Sequence, residues 1–291
     1  MAGDAARAVQ PTARQGAMVT PPSAGMTLTV ALTFDDLPVH ATLPPGTTRT
    51  EVAKAVVAAL GTHHAPPTYG FVNGKALNEG EGHAEVLRIW RAAGHPLGNH
   101  TWSHMDLDAS TREAFEEDVL GNEAILRDFM RDGDWRWLRF PYLHEGNTPE
   151  KRRAVAAFLV SHGYKTAPAT ITFGDWAYND PYARCMAVGD RAAIDWMKTR
   201  FLQGAGEALT AAADRSARGV VLLHLGAFDA VMLPDFLDLL EKRGVKLVTL
   251  AEAVVGIAAA ARTEARSGSR PAPAARTTPD DTMPRLEQLC R

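Results

Sequence analysis

Between residues 26 and 260 the apolar positions form short β-rich runs that alternate with helical patterns. Leu28–Phe34 (LTVALTF) reads as a buried strand. Thr48-x-x-Glu51 is a capping box that opens a helix to about Leu60. Tyr69–Val72 is a second strand, followed by a helix over Glu79–Ala93 that Gly94 stops. His95–Asn99 is a third strand, and Ser110-x-x-Glu113 caps a long helix to about Met130. Trp135–Phe140 is a fourth strand. Thr148 then sets an N-cap before Pro149 at the first helical position, and that helix stops at Gly163. Tyr164–Thr166 and Thr170–Phe173 are strand-like around a break at Pro168. The pattern continues with a helix over Arg191–Ala213, a strand at Gly219–His224, a helix at Leu233–Arg243, a strand at Val245–Leu250 and a helix over Ala251–Ala260.

Regular strand–helix alternation implies parallel strands with helices outside them. About seven such units predict a distorted, incomplete (β/α) barrel of α/β class, one domain over residues 26–260. An open doubly wound sheet is the alternative. Its dinucleotide-binding version loses support because no G-x-G-x-x-G follows the first strand.

Composition narrows the class. The 291 residues are 46% hydrophobic and 22% charged, with a net charge of −3, which excludes a wholly disordered, collagenous or coiled-coil chain. No clustered basic face marks a nucleic-acid partner, and no apolar run is long enough for a membrane span. Residues 1–25 and 261–291 are poor in core-forming side chains and read as flexible tails. The uncharged stretch from Gln15 to Phe34 resembles a signal peptide, but Pro21-Pro22 and Gln15 interrupt it. The compartment stays open: cytoplasmic, or exported or periplasmic if a signal has been removed. Cys185 and Cys290 read as two inert thiols, because Cys290 falls in the C-terminal tail.

The polar clusters gather at strand ends. Asp35-Asp36 follows the first strand, His100-Thr101-Trp102-Ser103-His104 the third, and Arg139-Phe140-Pro141-Tyr142 closes the fourth. Asp175-Trp176 follows Thr170–Phe173, and His224 ends GVVLLH. In barrels the loops after strand carboxyl ends build the active site, so five clusters at five ends predict a catalytic face. His100 and His104, aimed the same way by a turn or tight loop, with a carboxylate from another strand, make a two-His, one-carboxylate set for a divalent ion. Adjacent Asp35 and Asp36 point in different directions, so one would ligate while the other faces substrate. Arg139 beside them would fix a carboxylate by bidentate hydrogen bonds. The remaining histidines read as solvated or capping. His40, four residues past Asp36, is the one expected to border the site.

Together these clusters resemble the polysaccharide deacetylase family, the NodB-homology or carbohydrate esterase family 4 group, over roughly residues 26–255. The motifs stand as Thr33-Phe34-Asp35-Asp36, His100-Thr101-Trp102-Ser103-His104, Arg139-Phe140-Pro141-Tyr142, Asp175-Trp176, and Leu222 or Leu223 with His224. The resemblance implies an incomplete barrel and a metal-dependent hydrolase that removes acetyl groups from N-acetylated sugars, polymeric or oligomeric. It implies Asp36, His100 and His104 as ligands of one divalent ion, zinc first, with cobalt, nickel or manganese as alternatives. It further implies Asp35 as base, Arg139 as its orienting partner, the Tyr142 amide at the oxyanion, and His224 as acid with Asp175 as partner and Trp176 beside it.

Two positions depart from the family pattern. Leu37-Pro38 replaces the usual Gly or Thr after the Asp pair, and Leu143 replaces a common Gly. Both are expected to shape the groove rather than the metal site. The alternatives are a hydrolase of another amide or acetyl ester (a formamide, a cyclic amide, O-acetyl xylan) and a non-catalytic binding homologue. Completeness of base, ligands, Arg and acid favours the enzyme.

Overall fold

The computed structural model describes residues 27–267 and 282–291, in which seven strands form one parallel sheet. Its strands are β1 (Thr29–Leu37), β2 (Tyr69–Val72), β3 (Leu97–Asn99), β4 (Trp137–Leu138), β5 (Lys165–Thr166), β6 (Arg218–His224) and β7 (Lys246–Leu247). The order is β5-β4-β3-β2-β1-β6. β7 joins the first two residues of β1, on the side that β2 leaves free until Thr33. Ile171 adds a single parallel bridge to Val221, so the strand expected at Thr170–Phe173 is reduced to one pair.

Each strand divides its side chains between two cores, as a period of two requires. Ala31, Phe71, Trp137, Ala167 and Val220 meet inside the curled sheet. Val30, Leu32, Phe34, Val72, Val221 and Leu223 face the helices. The helices are α1 (Arg49–Thr62), α2 (His83–Ala92), α3 (Arg112–Gly121), α4 (Glu123–Met130), α5 (Pro149–Ser161), α6 (Asn179–Val188), α7 (Arg191–Arg215), α8 (Ala227–Lys242), α9 (Leu250–Ser267) and α10 (Thr282–Gln288). Leu250 and Ala253 of α9 join the inner core, near the amino ends of β1 and β6. The carboxyl ends of the strands remain open for chemistry.

Local signals placed several ends correctly. Thr48 and Glu51 form the reciprocal capping box of α1, and the Thr148 side chain accepts from the Lys151 amide ahead of Pro149. Four differences have tertiary causes. The long helix predicted from Ser110 starts after Thr111 and splits into α3 and α4 at Asn122. The Asn122 amide is wholly buried, accepting from Gly74 and donating to Val72 and Asn99, which turns the chain inward. α6 was not foreseen, since residues 179–188 were given no element; its Pro181 is tolerated in the first turn. α8 begins at Ala227, well before Leu233, since Asn179 Oδ1 accepts from the Phe228 amide and stands in for a local cap. β1 runs on through Asp35-Asp36 to Leu37. Leu37 is fully buried against Gly70 and does not line the groove, contrary to expectation.

The end of the chain also differs. Cys185 of α6 and Cys290 form a disulfide, and Leu286 of α10 is 1% exposed. The guanidinium of Arg184 donates to the carbonyls of Leu286 and Leu289. Composition could not reveal this anchor, because α6, which supplies it, was not foreseen. Residues 261–267, also expected in the tail, continue α9, and residues 1–26 and 268–281 lie outside the described residues. A crosslink between cysteines 105 residues apart removes about 4–5 kcal/mol of chain entropy from the unfolded state in the loop-closure treatment. Cys185→Ser should therefore lower the thermal midpoint, and reductant should lower the wild type to match. Equal midpoints with and without reductant would show that the bridge contributes nothing.

Candidate active site

The carboxyl ends of β1, β3 and β6 and the segments after β4 and before α6 open into one cavity of about 760 Å³. Asp35, Asp36, His100, His104, Tyr142, Asp175, Trp176 and His224 all line it. Arg139 is fully buried behind Asp35. Asp35 continues the regular strand register, paired with His224 across β1 and β6, and is 2% exposed. Asp36 then takes a φ of 61°, a region that favours glycine but that Asp tolerates. This turn brings two consecutive carboxylates to one cavity, where strict alternation would have sent them to opposite faces.

Asp36 Oδ1 lies 3.4 Å from His100 Nε2 and 3.3 Å from His104 Nε2. The loop that aims these imidazoles is tight rather than helical, with Thr101 at φ 64° and His104 at φ 59°. Ser103 donates from its backbone and hydroxyl to the Asp118 carboxylate, which holds the loop to α3. His100 Nδ1–H donates to the Arg139 carbonyl at 2.8 Å, so Nε2 is left to face the cavity. Non-glycine residues in this φ region cost of order 1–3 kcal/mol each, and such strain concentrates at functional sites. Tyr142 and Leu143 add φ values of 56° and 57°, with the Tyr142 ring against His104.

Electrostatics support ligation. Burial alone would raise the pKa of Asp36, but the imidazoles of His100 and His40 and the charge of His224 hold it well below the carboxylate range. Burial, helped by the charge of His100, pushes His104 down to about 4, so it is the neutral form a metal requires. Burial would also lower His100, yet Asp35 and Asp36 raise it. Asp36 Oδ1 is buried and has no hydrogen-bond partner among the described residues, though both Nε2 atoms converge on it. An orphaned carboxylate oxygen between two imidazole nitrogens fits a divalent cation with open positions.

Arg139 differs in one respect from expectation. Its Nη1 alone reaches both oxygens of Asp35, at 3.4 Å each, so the contact is bifurcated and not a two-nitrogen fork. The rest of the guanidinium is fixed from Nε to the Ala167 carbonyl, and from Nη2 to Thr33 Oγ1 and the Pro168 carbonyl. Its carbon lies 5.0 Å from the centre of the Phe71 ring. The group thus ties the 167–168 segment into the barrel while facing the base. Arg139→Lys should lower both the thermal midpoint and turnover, because one ammonium cannot meet acceptors spread over four partners. Unchanged stability would show that these bonds are incidental.

On the far side, His224 Nδ1–H donates to Asp175 Oδ2 at 3.0 Å, and the His224 amide donates to the same oxygen at 2.8 Å. Burial would lower the His224 pKa, but the Asp175 carboxylate raises it to about 10. Behind them, burial and the charge of Asp175 push Asp229 well above the usual range, and Asn179 donates to its Oδ2 at 2.7 Å. The Trp176 and Tyr142 rings are about half exposed on the cavity walls, and Tyr142 stands edge-on to His104 at 4.6 Å. Leu143 lines the cavity, as its departure from the motif predicted.

Three residues around these groups were not singled out, Asp118, Asn179 and Asp229, whereas His40, expected to border the site, lines the cavity. His40 gave a partial signal through its spacing from Asp36. The other three act on loops from helices distant in sequence, and no local pattern marks them.

Residues 26–166 match the polysaccharide deacetylase family. A chitin deacetylase of Arthroderma benhamiae is 26% identical over 226 residues, covering 77% of this chain and 51% of its own. A chitooligosaccharide deacetylase of Sinorhizobium fredii is 30% identical over 113 residues, 39% of this chain and 46% of its own. The chain therefore spans about half the length of the curated relatives it matches. The peptidoglycan deacetylase PdaC from Bacillus subtilis superposes with a TM-score of 0.55 at 18% identity, over 83% of this chain and 97% of that one. That likeness gives the fold: a parallel sheet curled into a half-barrel under helices. With the ordered motifs, the match places residues 26–166 in the polysaccharide deacetylase family, and the fold around them is that of the solved deacetylase it superposes on.

Proposed function

We propose that the chain is a metal-dependent deacetylase that hydrolyses the N-acetyl amide of sugar substrates. The observation that carries this reading is the unpaired Asp36 Oδ1 between His100 and His104, with Asp35 beside it and His224 in the same cavity. Asp36, His100 and His104 would hold one divalent ion, with zinc suited to the nitrogen and oxygen donors. Such an ion, when bound, supplies Lewis-acid polarisation and a water acidic enough to react near neutrality.

The protein's own groups do the rest. Asp35 takes the proton from the attacking water, while Arg139 Nη1 contacts its carboxylate and keeps it aimed. The Tyr142 N–H, on the cavity wall, receives the developing oxyanion; one such donor contributes roughly 10²–10³ in rate. His224 gives its proton to the leaving amine nitrogen, and Asp175 stabilises the imidazolium before transfer. Trp176 and Tyr142 offer apolar faces to a saccharide ring on either side.

The names of the relatives support an N-acetylated glycan, and chitin, chitooligosaccharides and peptidoglycan are the classes to test first. Acetate release from those three and from acetylated xylan should single out an N-acetyl substrate. Release from xylan alone would favour the ester reading, and none from any substrate with metal bound would favour a non-catalytic homologue.

A further inference from the structure

Asp36 offers its two oxygens to different partners. Oδ1 faces the two Nε2 atoms of His100 and His104, and Oδ2 lies 2.8 Å from His40 Nδ1. The His40 ring spans further. Its Nε2 is 3.3 Å from the Trp176 carbonyl, and its centroid is 4.7 Å from that of His224. His40 therefore touches the ligand carboxylate, the segment bearing Asp175 and the candidate acid.

We propose that His40 is a positioning residue of the metal site: by donating from Nδ1 to Asp36 Oδ2, it leaves Oδ1 alone to bind the ion. This rests on the reading of Asp36, His100 and His104 as ligands. A free aspartate can rotate about its last torsion or bind an ion through both oxygens. A hydrogen bond to one oxygen removes both freedoms, and it raises affinity because the geometry is set before the ion arrives.

The placement of His40 is built into the fold. Arg49 of α1 donates to the carbonyls of His40 and Ala41. Asp180 of α6 accepts from the Thr42 amide at 2.8 Å. The 40–42 segment is thus held from both sides, and the ring is only 14% exposed. A solvated histidine would need neither anchor.

Three variants separate the two ring nitrogens. An Asn side chain places its amide nitrogen where Nδ1 stands, and a Gln side chain reaches the place of Nε2. The dissociation constant for zinc would be measured on the full chain by competition with a chromogenic chelator, with the thermal midpoint of the metal-free protein alongside. His40→Ala and His40→Gln should weaken zinc binding about 10–100-fold, the usual effect of losing a partner behind a ligand, while His40→Asn stays near wild type. The metal-free midpoints should change little in all three. Wild-type affinity in His40→Ala, or equal losses in Asn and Gln, would overturn the role given to Nδ1. Parallel losses of midpoint and affinity would assign His40 a structural role instead. A wild-type chain that binds no zinc would overturn the metal reading itself, and this inference with it.

Discussion

Asp35→Asn should lower turnover about 10²–10⁴-fold, the range of a lost general base, while the protein still binds its metal. The two effects separate because the proposed ligand oxygen is on Asp36. Asp35 stands one residue earlier, in register with His224, with Arg139 Nη1 3.4 Å from each of its oxygens. Asn keeps the volume and removes the charge. The buried Arg139 then loses its one carboxylate but keeps Ala167, Pro168 and Thr33, so the fold should survive. Metal content by elemental analysis and acetate release on the same sample check both halves. Near-normal turnover with metal bound would place the base elsewhere. Loss of the metal would make Asp35 a ligand.

His224→Ala should slow amide hydrolysis far more than hydrolysis of an activated aryl ester, whose leaving group departs without a proton. The loss on the amide should be on the order of 10²–10⁴, as for any removed acid. Equal slowing of both substrates would make the residue structural. The pH profile carries the same logic. His224 works as an acid only when protonated, and its pKa of about 10 keeps it so through neutrality. Activity should therefore fall on the alkaline side as pH rises through that value. Asp175→Asn removes the carboxylate that raises the pKa most, leaving burial, which lowers it, against the smaller pull of the Asp36 and Asp35 charges. The alkaline limb of kcat/KM should then move to lower pH by several units, with metal content unchanged. The same raised pKa stabilises the fold fully below the ordinary histidine value of about 6.5, and that contribution is lost as pH climbs towards 10. An alkaline limb that Asp175→Asn does not shift would break the link between the pair and the acid role.

The parts of this account legible in the sequence were those with local causes. The capping box at Thr48, the Thr148-Pro149 start and the strand Tyr69–Val72 rest on neighbours in the chain, and each stands where expected. The alternation of strands and helices gave the parallel barrel, because that connection has few other solutions. The five polar clusters at strand ends lie around one cavity for the same reason. What escaped depends on contacts between distant segments. Asn122 breaks a continuous helical pattern because Val72, Gly74 and Asn99 need its amide. Asn179 starts α8 from some fifty residues away. Cys290 falls in a segment whose composition cannot order itself, and it is fixed by Cys185 and Arg184 on a helix that was not foreseen. The positive φ of Asp36 is the subtlest case. A strand pattern sends neighbours to opposite faces, and only the fold shows both carboxylates turned to one cavity.

The most direct test titrates a divalent ion into chelated protein while acetate release from a chitin oligosaccharide is followed. Zinc, cobalt, nickel and manganese would be compared on the wild type and on His104→Ala. The account predicts that release stops on chelation, returns with the first equivalent of ion in the wild type, and stays absent in His104→Ala at the same ion concentration. Full acetate release from chelated protein, or from His104→Ala at one equivalent, would contradict it.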